Sequence, residues 1–188
     1  MKYIATTWIA LPRELIAMAR AFGSDRRGVA AVEFAVFAFF LFLAIVNVTD
    51  ASIYIFQRME AENATQGAAQ AALTTCGLNQ LPATTNCPGL ATAIQNALGA
   101  TSLGTRVALV SGSPSEGYYC VNSSSALQYM SGISSKPADC SAVGAPGVQP
   151  GDYIQITTSF GYAPLFPGLS IASTFATPVN TTTMMRLS

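Results

Sequence analysis

The sequence predicts an α+β fold in which one long N-terminal helix, transmembrane in its first part and amphipathic beyond it, packs on a small antiparallel β-sheet. Three observations predict this fold. Residues 29–48 are apolar apart from Glu33 and Asn47, and Glu33 is their only charged residue. No proline interrupts the chain between Pro12 and Pro82, as a long helix requires. From residue 77 onward the chain is rich in Gly, Pro, Ser, Thr and Asn, with short alternating stretches typical of strands.

Residues 29–48 are long enough to span a membrane as a helix. A helix of about 20 residues rises about 30 Å, which is the thickness of a bilayer core. The large apolar side chains of this run together favour insertion by on the order of 5 kcal/mol. A carboxylate at the bilayer centre costs roughly 2.5–3.5 kcal/mol, and less near the surface. We therefore expect the run to insert despite Glu33.

The helix is expected to continue beyond the membrane over residues 49–76. This segment is rich in Ala, Gln, Glu and Met, which are good helix formers. One helix from about Val29 to Thr75 would approach 70 Å at about 1.5 Å per residue. Cys76-Gly77 is a natural stop, because glycine commonly follows a helix end. One weakly apolar face of this helix carries Ile55, Met59, Glu62, Gln66, Ala69 and Leu73.

Residues 77–188 are predicted to form a small α+β domain. Leu90–Leu98 is expected to be a short helix, and strands are expected at residues 106–110, 118–121, 153–160 and 181–187. In the stretch 153–160, polar residues alternate with Ile154, Ile156 and Phe160, which indicates a half-buried strand. A sheet of this size needs the long helix or disulfides to be stable.

The chain has four cysteines and no histidine. They are Cys76, Cys87, Cys120 and Cys140. The absence of a CxxC pair and of histidine argues against a metal site, and we expect no metal or cofactor. An even number of cysteines in the part of the chain beyond a membrane anchor favours two disulfides in an oxidising compartment. Of the three possible pairings, Cys76–Cys87 and Cys120–Cys140 are favoured because short loops close most easily. The alternative is four free buried thiols in a cytoplasmic core.

Charge is distributed unevenly along the chain. Residues 1–28 carry five cations and two anions, a net of +3, whereas residues 29–188 carry four cations and seven anions, a net of −3. Positive flanks of membrane helices stay in the cytoplasm, so we expect residues 1–28 to form a cytoplasmic basic leader. No basic patch occurs in the larger part, which argues against binding of nucleic acid.

The sequence offers little for catalysis, and we expect no enzyme and no catalytic residue. Without histidine there is no Ser-His-Asp arrangement, and no GxSxG elbow or phosphate-binding glycine loop occurs. A pair such as Glu116 and Asp152 can meet in space, but we expect no acid/base role for it. The carboxylates after Glu33 are those of Asp50, Glu60, Glu62, Glu116, Asp139 and Asp152, and most of them are expected to be solvated.

The most informative segment is the junction between the leader and the apolar helix. It reads Arg26-Arg27-Gly28-Val29-Ala30-Ala31-Val32-Glu33-Phe34. Glycine lets a protease approach the backbone closely, and cleavage after Gly28 would create an ammonium group on Val29 in apolar surroundings. Such a charge needs a partner. Glu33 lies four residues further on, so it can pair with this amine or with that of a neighbouring subunit, which would set an assembly register.

This junction resembles the prepilin-peptidase site of type IV-like pilins, and its glutamate–aromatic pair resembles the Flp/Tad subgroup. The run from Arg26 to Ala35 is similar to the opening of the TadE-like family. The likeness continues through residues 56–60 of the long helix, and more loosely through residues 150–188, where a strand precedes the proline-rich stretch 163–169 and Arg186. The resemblance does not extend to residues 77–149.

The resemblance implies a minor pilin or pseudopilin with a pilin-like fold, acting in assembly or initiation of an adhesive Tad/Flp pilus. An aspartic prepilin peptidase would remove residues 1–28, with Arg26 and Arg27 as the leader charge and Glu33 and Phe34 acting in assembly. The other implied partners are the bacterial inner membrane, further pilin subunits and Tad assembly proteins. Residues 77–188 would be periplasmic, or extracellular within a pilus.

Two further expectations concern the kind of protein. The major pilins of this system are very short, so a mature chain of residues 29–188 indicates a minor subunit. The alternative is an uncleaved signal anchor that tethers a periplasmic binding or interaction domain.

Overall fold

The computed structural model describes residues 27–133 and 135–188, so the leader up to Arg26 lies outside the described residues. The chain divides into two compact units, Met1–Val46 and Asn47–Ser188. Helix α1 (Arg27–Thr75) begins in the first unit and ends in the second. These bounds agree with those predicted for the long helix, about Val29 to Thr75. The predicted α+β fold class is confirmed.

The part of α1 in the first unit exposes its large apolar side chains. Phe34 is 75% exposed and Phe37 is 80% exposed. Within residues 27–133 and 135–188, α1 is the one helix that is long and apolar enough to cross a membrane, with a mean hydropathy of 2.7 over its most apolar stretch. Side chains that remain exposed along such a run are those that lipid or another helix would cover.

The second unit continues with two short helices and five strands. The helices are α2 (Ala83–Asn86) and α3 (Leu90–Gly99). The strands are β1 (Val107–Leu109), β2 (Ser115–Val121), β3 (Leu127–Tyr129), β4 (Gly151–Phe160) and β5 (Val179–Arg186). Short 3₁₀ turns occur at Leu78–Gln80, Gly104–Arg106, Ser141–Val143 and Ile171–Thr174.

All the strands form one antiparallel sheet around β4. One edge of β4 pairs with β5 along residues 153–160. The opposite edge pairs with β2 along residues 151–155 and with β1 along residues 158–160. Strand β3 extends the sheet beyond β2. Alternate side chains of β4 from Asp152 to Phe160 are buried, as the period of two predicts, because successive side chains of a strand point to opposite faces and one face lies in the core.

The second half of α1 packs on the sheet through small residues. Its buried face consists of Ala61, Ala64, Thr65, Ala68, Ala69, Ala72 and Cys76. The core joins this face to Ile154, Ile156 and Phe160 of β4. Small side chains let the helix backbone approach the sheet closely, so close packing selects alanine here. The apolar residues Ile55, Met59 and Leu73 instead remain exposed.

A triangle of buried hydroxyl groups joins the helix to the sheet. Oγ1 of Thr65 lies 2.6 Å from that of Thr158 and 2.7 Å from that of Thr181, and the last two are 2.8 Å apart. Thr65 also donates to the Ala61 carbonyl at 2.7 Å. Buried polar groups need such partners, so the triangle fixes the position of α1 along β4 and β5.

Two disulfides close the second unit. Cys76 at the end of α1 is bonded to Cys87, and Cys120 of β2 is bonded to Cys140, with 5.7 Å between the Cα atoms in each pair. The pairing is the one that short loop closure favours. In the part of the chain that the structure describes, no cysteine is free.

Candidate assembly site

Gly28 and Val29, the residues on either side of the expected cleavage point, lie in the first turn of the described helix α1. Both are exposed, Val29 by 58%. A Cβ atom added at Gly28 would meet no atom within 4 Å. Packing within this chain therefore does not require glycine at this position.

Glu33 lies on the same side of α1 as several apolar residues. A shallow groove of about 360 Å³ is lined by Ala30, Glu33, Phe34, Phe37, Ala38 and Leu41. Glu33 lies four residues after Val29, about one helical turn, so the two side chains are neighbours along the helix. Among the side chains that the structure describes, Arg58 and Glu62 form a salt bridge, and no cationic side chain pairs with Glu33.

This arrangement can bind a cation in apolar surroundings. A lone carboxylate on a lipid-facing helix is expensive unless a positive group approaches it. The exposed aromatic rings of Phe34 and Phe37 flank the carboxylate and offer packing surface to a second helix. Arg26 and the side chain of Arg27 lie outside the described residues, so their expected leader role stays a prediction.

A second polar contact occurs where the apolar run ends. Asp50 of α1 is fully buried. Its Oδ1 accepts a hydrogen bond from the Leu165 N–H at 3.0 Å, and its Oδ2 accepts one from the Phe166 N–H at 3.2 Å. The Tyr162 hydroxyl donates to the Asp50 carbonyl at 3.1 Å. One helical turn earlier, Oδ1 of Asn47 accepts from the Ile171 N–H at 2.8 Å. These contacts bind residues 162–174, hereafter the proline loop, to α1.

Asp50 is an exception to the expectation that most of the carboxylates after Glu33 are solvated. The sequence contains one signal that points to its role, because Asp50 is the first charged residue after the uncharged run 34–49. A charge at the end of an apolar segment is as readily explained by contact with water. Its partner lies 115 residues away in sequence, and no local pattern reveals such a distant contact.

Glu116 and Asp152, which the sequence allows to meet, do come together beside strands β2 and β4. Glu116 accepts hydrogen bonds from the Ala83 N–H at 2.8 Å, the Thr84 N–H at 2.7 Å and the Thr84 hydroxyl at 2.9 Å. It therefore caps the first turn of α2, where N–H groups lack helical partners. With three donors bound, the Glu116 carboxylate serves a structural role.

Asp152 is 1% exposed and is a second exception to the expectation that most of the carboxylates are solvated. Burial, followed by the charge of Glu116 and a hydrogen bond with it, raises the pKa of its carboxyl to about 6, against a lowering effect of Lys136. Oδ1 of Asp152 has no hydrogen-bond partner among the described residues.

In residues 27–133 and 135–188, no group of three or more His, Cys, Asp or Glu side chains is placed so that it could hold a metal ion.

Comparison with known proteins identifies the N-terminal segment. Residues 28–70 match the model of a family described as TadE-like protein. The match begins at Gly28, includes Glu33 and Phe34, and ends within the part of α1 that packs on the sheet. No curated protein and no solved structure matches the chain. The resemblance to the TadE-like family is thereby confirmed for this segment.

Proposed function

We propose that the chain is a Tad pilus-associated protein, namely a minor pilin or pseudopilin that acts in assembly or initiation of a Tad/Flp pilus. The match of residues 28–70 to the TadE-like family model supports this proposal. Prepilin peptidase cuts it after Gly28 and removes residues 1–28. Residues 29–48 then anchor the subunit in the membrane, residues 49–76 continue the helix outside it, and residues 77–188 complete the external domain.

The observation that carries the proposal is the place of Glu33 on an exposed apolar helix face, four residues after Val29. Once the chain is cut, the ammonium group of Val29 and the carboxylate of Glu33 are opposite charges in surroundings of low dielectric. Each stabilises the other strongly there. Pairing between neighbouring subunits sets the axial position at which the apolar helices pack in a filament.

Two features support an orientation with the second unit outside the cytoplasm. The leader has a net charge of +3, which favours retention on the cytoplasmic side. Disulfides such as Cys76–Cys87 and Cys120–Cys140 persist in oxidising compartments such as the periplasm. The span and the family fit a single-pass membrane protein, and we infer that the second unit is periplasmic before assembly.

The function is tested by replacing Glu33. We expect Glu33→Gln and Glu33→Ala chains to insert and to be cut, because neither change lies at the cleaved bond, but to be absent from filaments sheared from cells. Glu62→Gln is the matched control, since Glu62 is an exposed carboxylate on the same helix that pairs with Arg58 at 3.2 Å. Filaments that contain Glu33→Gln subunits in normal amounts would refute the idea that pairing of Glu33 with the Val29 ammonium group sets the register of assembly.

A further inference from the structure

The proline loop exposes large aliphatic side chains although it belongs to the folded second unit. Leu165 is 62% exposed, Leu169 is 55% exposed and Ile171 is 60% exposed. No Lys, Arg, Asp or Glu occurs from residue 153 to residue 185. The loop is thus an apolar surface without a charge of its own, which is unusual for a loop that faces only water.

The attachment of the loop defines its level along α1. Its backbone is bound to Asn47 and Asp50, whose positions differ by three residues, or about 4.5 Å of helix rise. The apolar run 29–48 ends at these positions. If α1 spans the bilayer over that run, then Asn47 and Asp50 lie where the hydrocarbon meets the headgroups, and the loop lies at the same depth.

The backbone of the loop is suited to this depth. An irregular segment tolerates an apolar environment when its N–H groups are already bonded. Asp50 and Asn47 accept three of these bonds, and Pro164 and Pro167 have no N–H group. Further bonds run from the N–H groups of Leu169 and Ser170 to the Phe166 carbonyl, from that of Ala172 to Ser170 Oγ, and from that of Ser173 to the Ser170 carbonyl. From residue 164 to residue 173, only Gly168 lacks such a bond within the described chain.

We propose that the proline loop docks on the surface of the bilayer that α1 crosses, with Leu165, Leu169 and Ile171 inserted at the edge of its hydrocarbon core. Lipid is favoured over a protein partner for three reasons: the loop is bound to Asn47 and Asp50, where the apolar run ends in sequence, it carries no charge, and its N–H groups from residue 164 to residue 173 are bonded except that of Gly168. The loop then acts as a second attachment beside α1 and restricts the rotation and tilt of the membrane-bound subunit. The proposal rests on α1 spanning the membrane and is independent of cleavage after Gly28.

Depth-dependent quenching of tryptophan fluorescence tests this proposal. Trp8 is the single tryptophan of the sequence, so a Trp8→Phe chain gives a dark background. Leu169→Trp and Ile171→Trp are then made separately in that background, at exposed positions that tolerate a larger side chain. The full chain is reconstituted into vesicles of phosphatidylethanolamine and phosphatidylglycerol, with or without bromine atoms on the acyl chains.

Leu127→Trp in the same background is the matched control. Leu127 is 43% exposed and is the first residue of β3. Strand β3 pairs with the end of β2 that lies beside Gly151, the first residue of β4. The proline loop instead follows the last residue of β4, at the opposite end of that strand. We expect brominated lipid to remove most of the emission of both loop variants and to leave that of the control.

Equal emission of the loop variants in brominated and plain vesicles would overturn the proposal. A blue-shifted emission that bromine does not quench would also overturn it, because the side chain would then be covered by protein. An intact N-terminus of the purified chain would count against the proposed pilin function alone and would leave the quenching result unaffected.

Discussion

Asp50 and Leu165 are joined by a hydrogen bond of 3.0 Å from the Leu165 N–H to the buried carboxylate, across 115 residues of sequence. The bond links helix α1 at the end of its apolar run to the loop that precedes β5. Together with the hydrogen bond from the Phe166 N–H, it holds the loop on α1 by polar contacts, whereas further along the helix alanine side chains pack on the sheet.

Asp50→Ala is expected to lower the free energy of unfolding by about 2–4 kcal/mol, since it leaves two N–H groups without their charged acceptor. Asp50→Asn retains one acceptor oxygen and should lose less. The measurement is urea unfolding of the full chain in detergent micelles, followed by circular dichroism. Glu62→Ala, which breaks an exposed salt bridge, should cost below about 1 kcal/mol, and an equal loss in both variants would contradict the role of Asp50.

Asp152 should make the second unit less stable as pH rises. Its folded pKa of about 6 is above the ordinary value of 3.8, so the folded state binds the proton more tightly than the unfolded state. The stabilisation is complete below the unfolded pKa and is lost as pH rises through about 6, by about 1–3 kcal/mol. Urea unfolding across this window should show the decline in the native chain.

Asp152→Asn should abolish that decline, because asparagine is neutral and can still donate to Glu116. Asp139→Asn is the control, since hydrogen bonds from Ser141 and Gly147 lower the pKa of the Asp139 carboxyl. Its contribution has the opposite sign: it is present above the unfolded pKa and is lost as pH falls through the lowered folded pKa. A decline through about pH 6 that persists in Asp152→Asn would assign it to another group.

Thr65→Val tests the hydroxyl triangle. Valine preserves the shape of the side chain but removes the group that contacts Thr158 and Thr181, so we expect a loss of about 1–3 kcal/mol in unfolding free energy. Thr74→Val is the matched control, because Thr74 is an exposed threonine of α1 that bonds to its own helix. It should change stability by less than about 0.5 kcal/mol. A Thr65→Val chain as stable as the control would mean that the triangle contributes nothing.

Gly28→Val should block removal of the leader. The position is open in this chain, so valine leaves α1 folded and acts only through the enzyme that must approach the backbone. Gly67→Val, the same change at an open position further along α1, should be cut normally. The mass of the chain recovered from cells that contain the peptidase distinguishes the two, and normal cutting of Gly28→Val would exclude the role given to Gly28.

The long elements were predictable from sequence because their signals are local. An apolar run followed by helix formers predicts α1, and alternation at Ile154, Ile156 and Phe160 predicts β4. Strand β3 was missed, since its three residues are all exposed and show no alternation. The helix face that packs on the sheet was also missed, because close approach selects alanine at Ala61, Ala64 and Ala68 over larger apolar residues.

The polar contacts were less predictable. Glycine, basic residues and Glu33 stand together in sequence, so the cleavage and assembly residues are predicted from their spacing and remain predictions. Asp50 and Asp152 are the exceptions to the expectation that most carboxylates are solvated, which holds for most charged side chains. Their burial depends on backbone donors of a distant loop and on Glu116, and the chain brings these groups together only when the sheet forms on α1.

The proposed function depends above all on removal of the leader, which mass spectrometry of the N-terminus of the chain recovered from its membrane measures. We expect a chain that begins at Val29, with a free ammonium group that can pair with Glu33. A chain that still begins at Met1, in cells with an active prepilin peptidase, would contradict it and leave the carboxylate without the partner on which assembly depends.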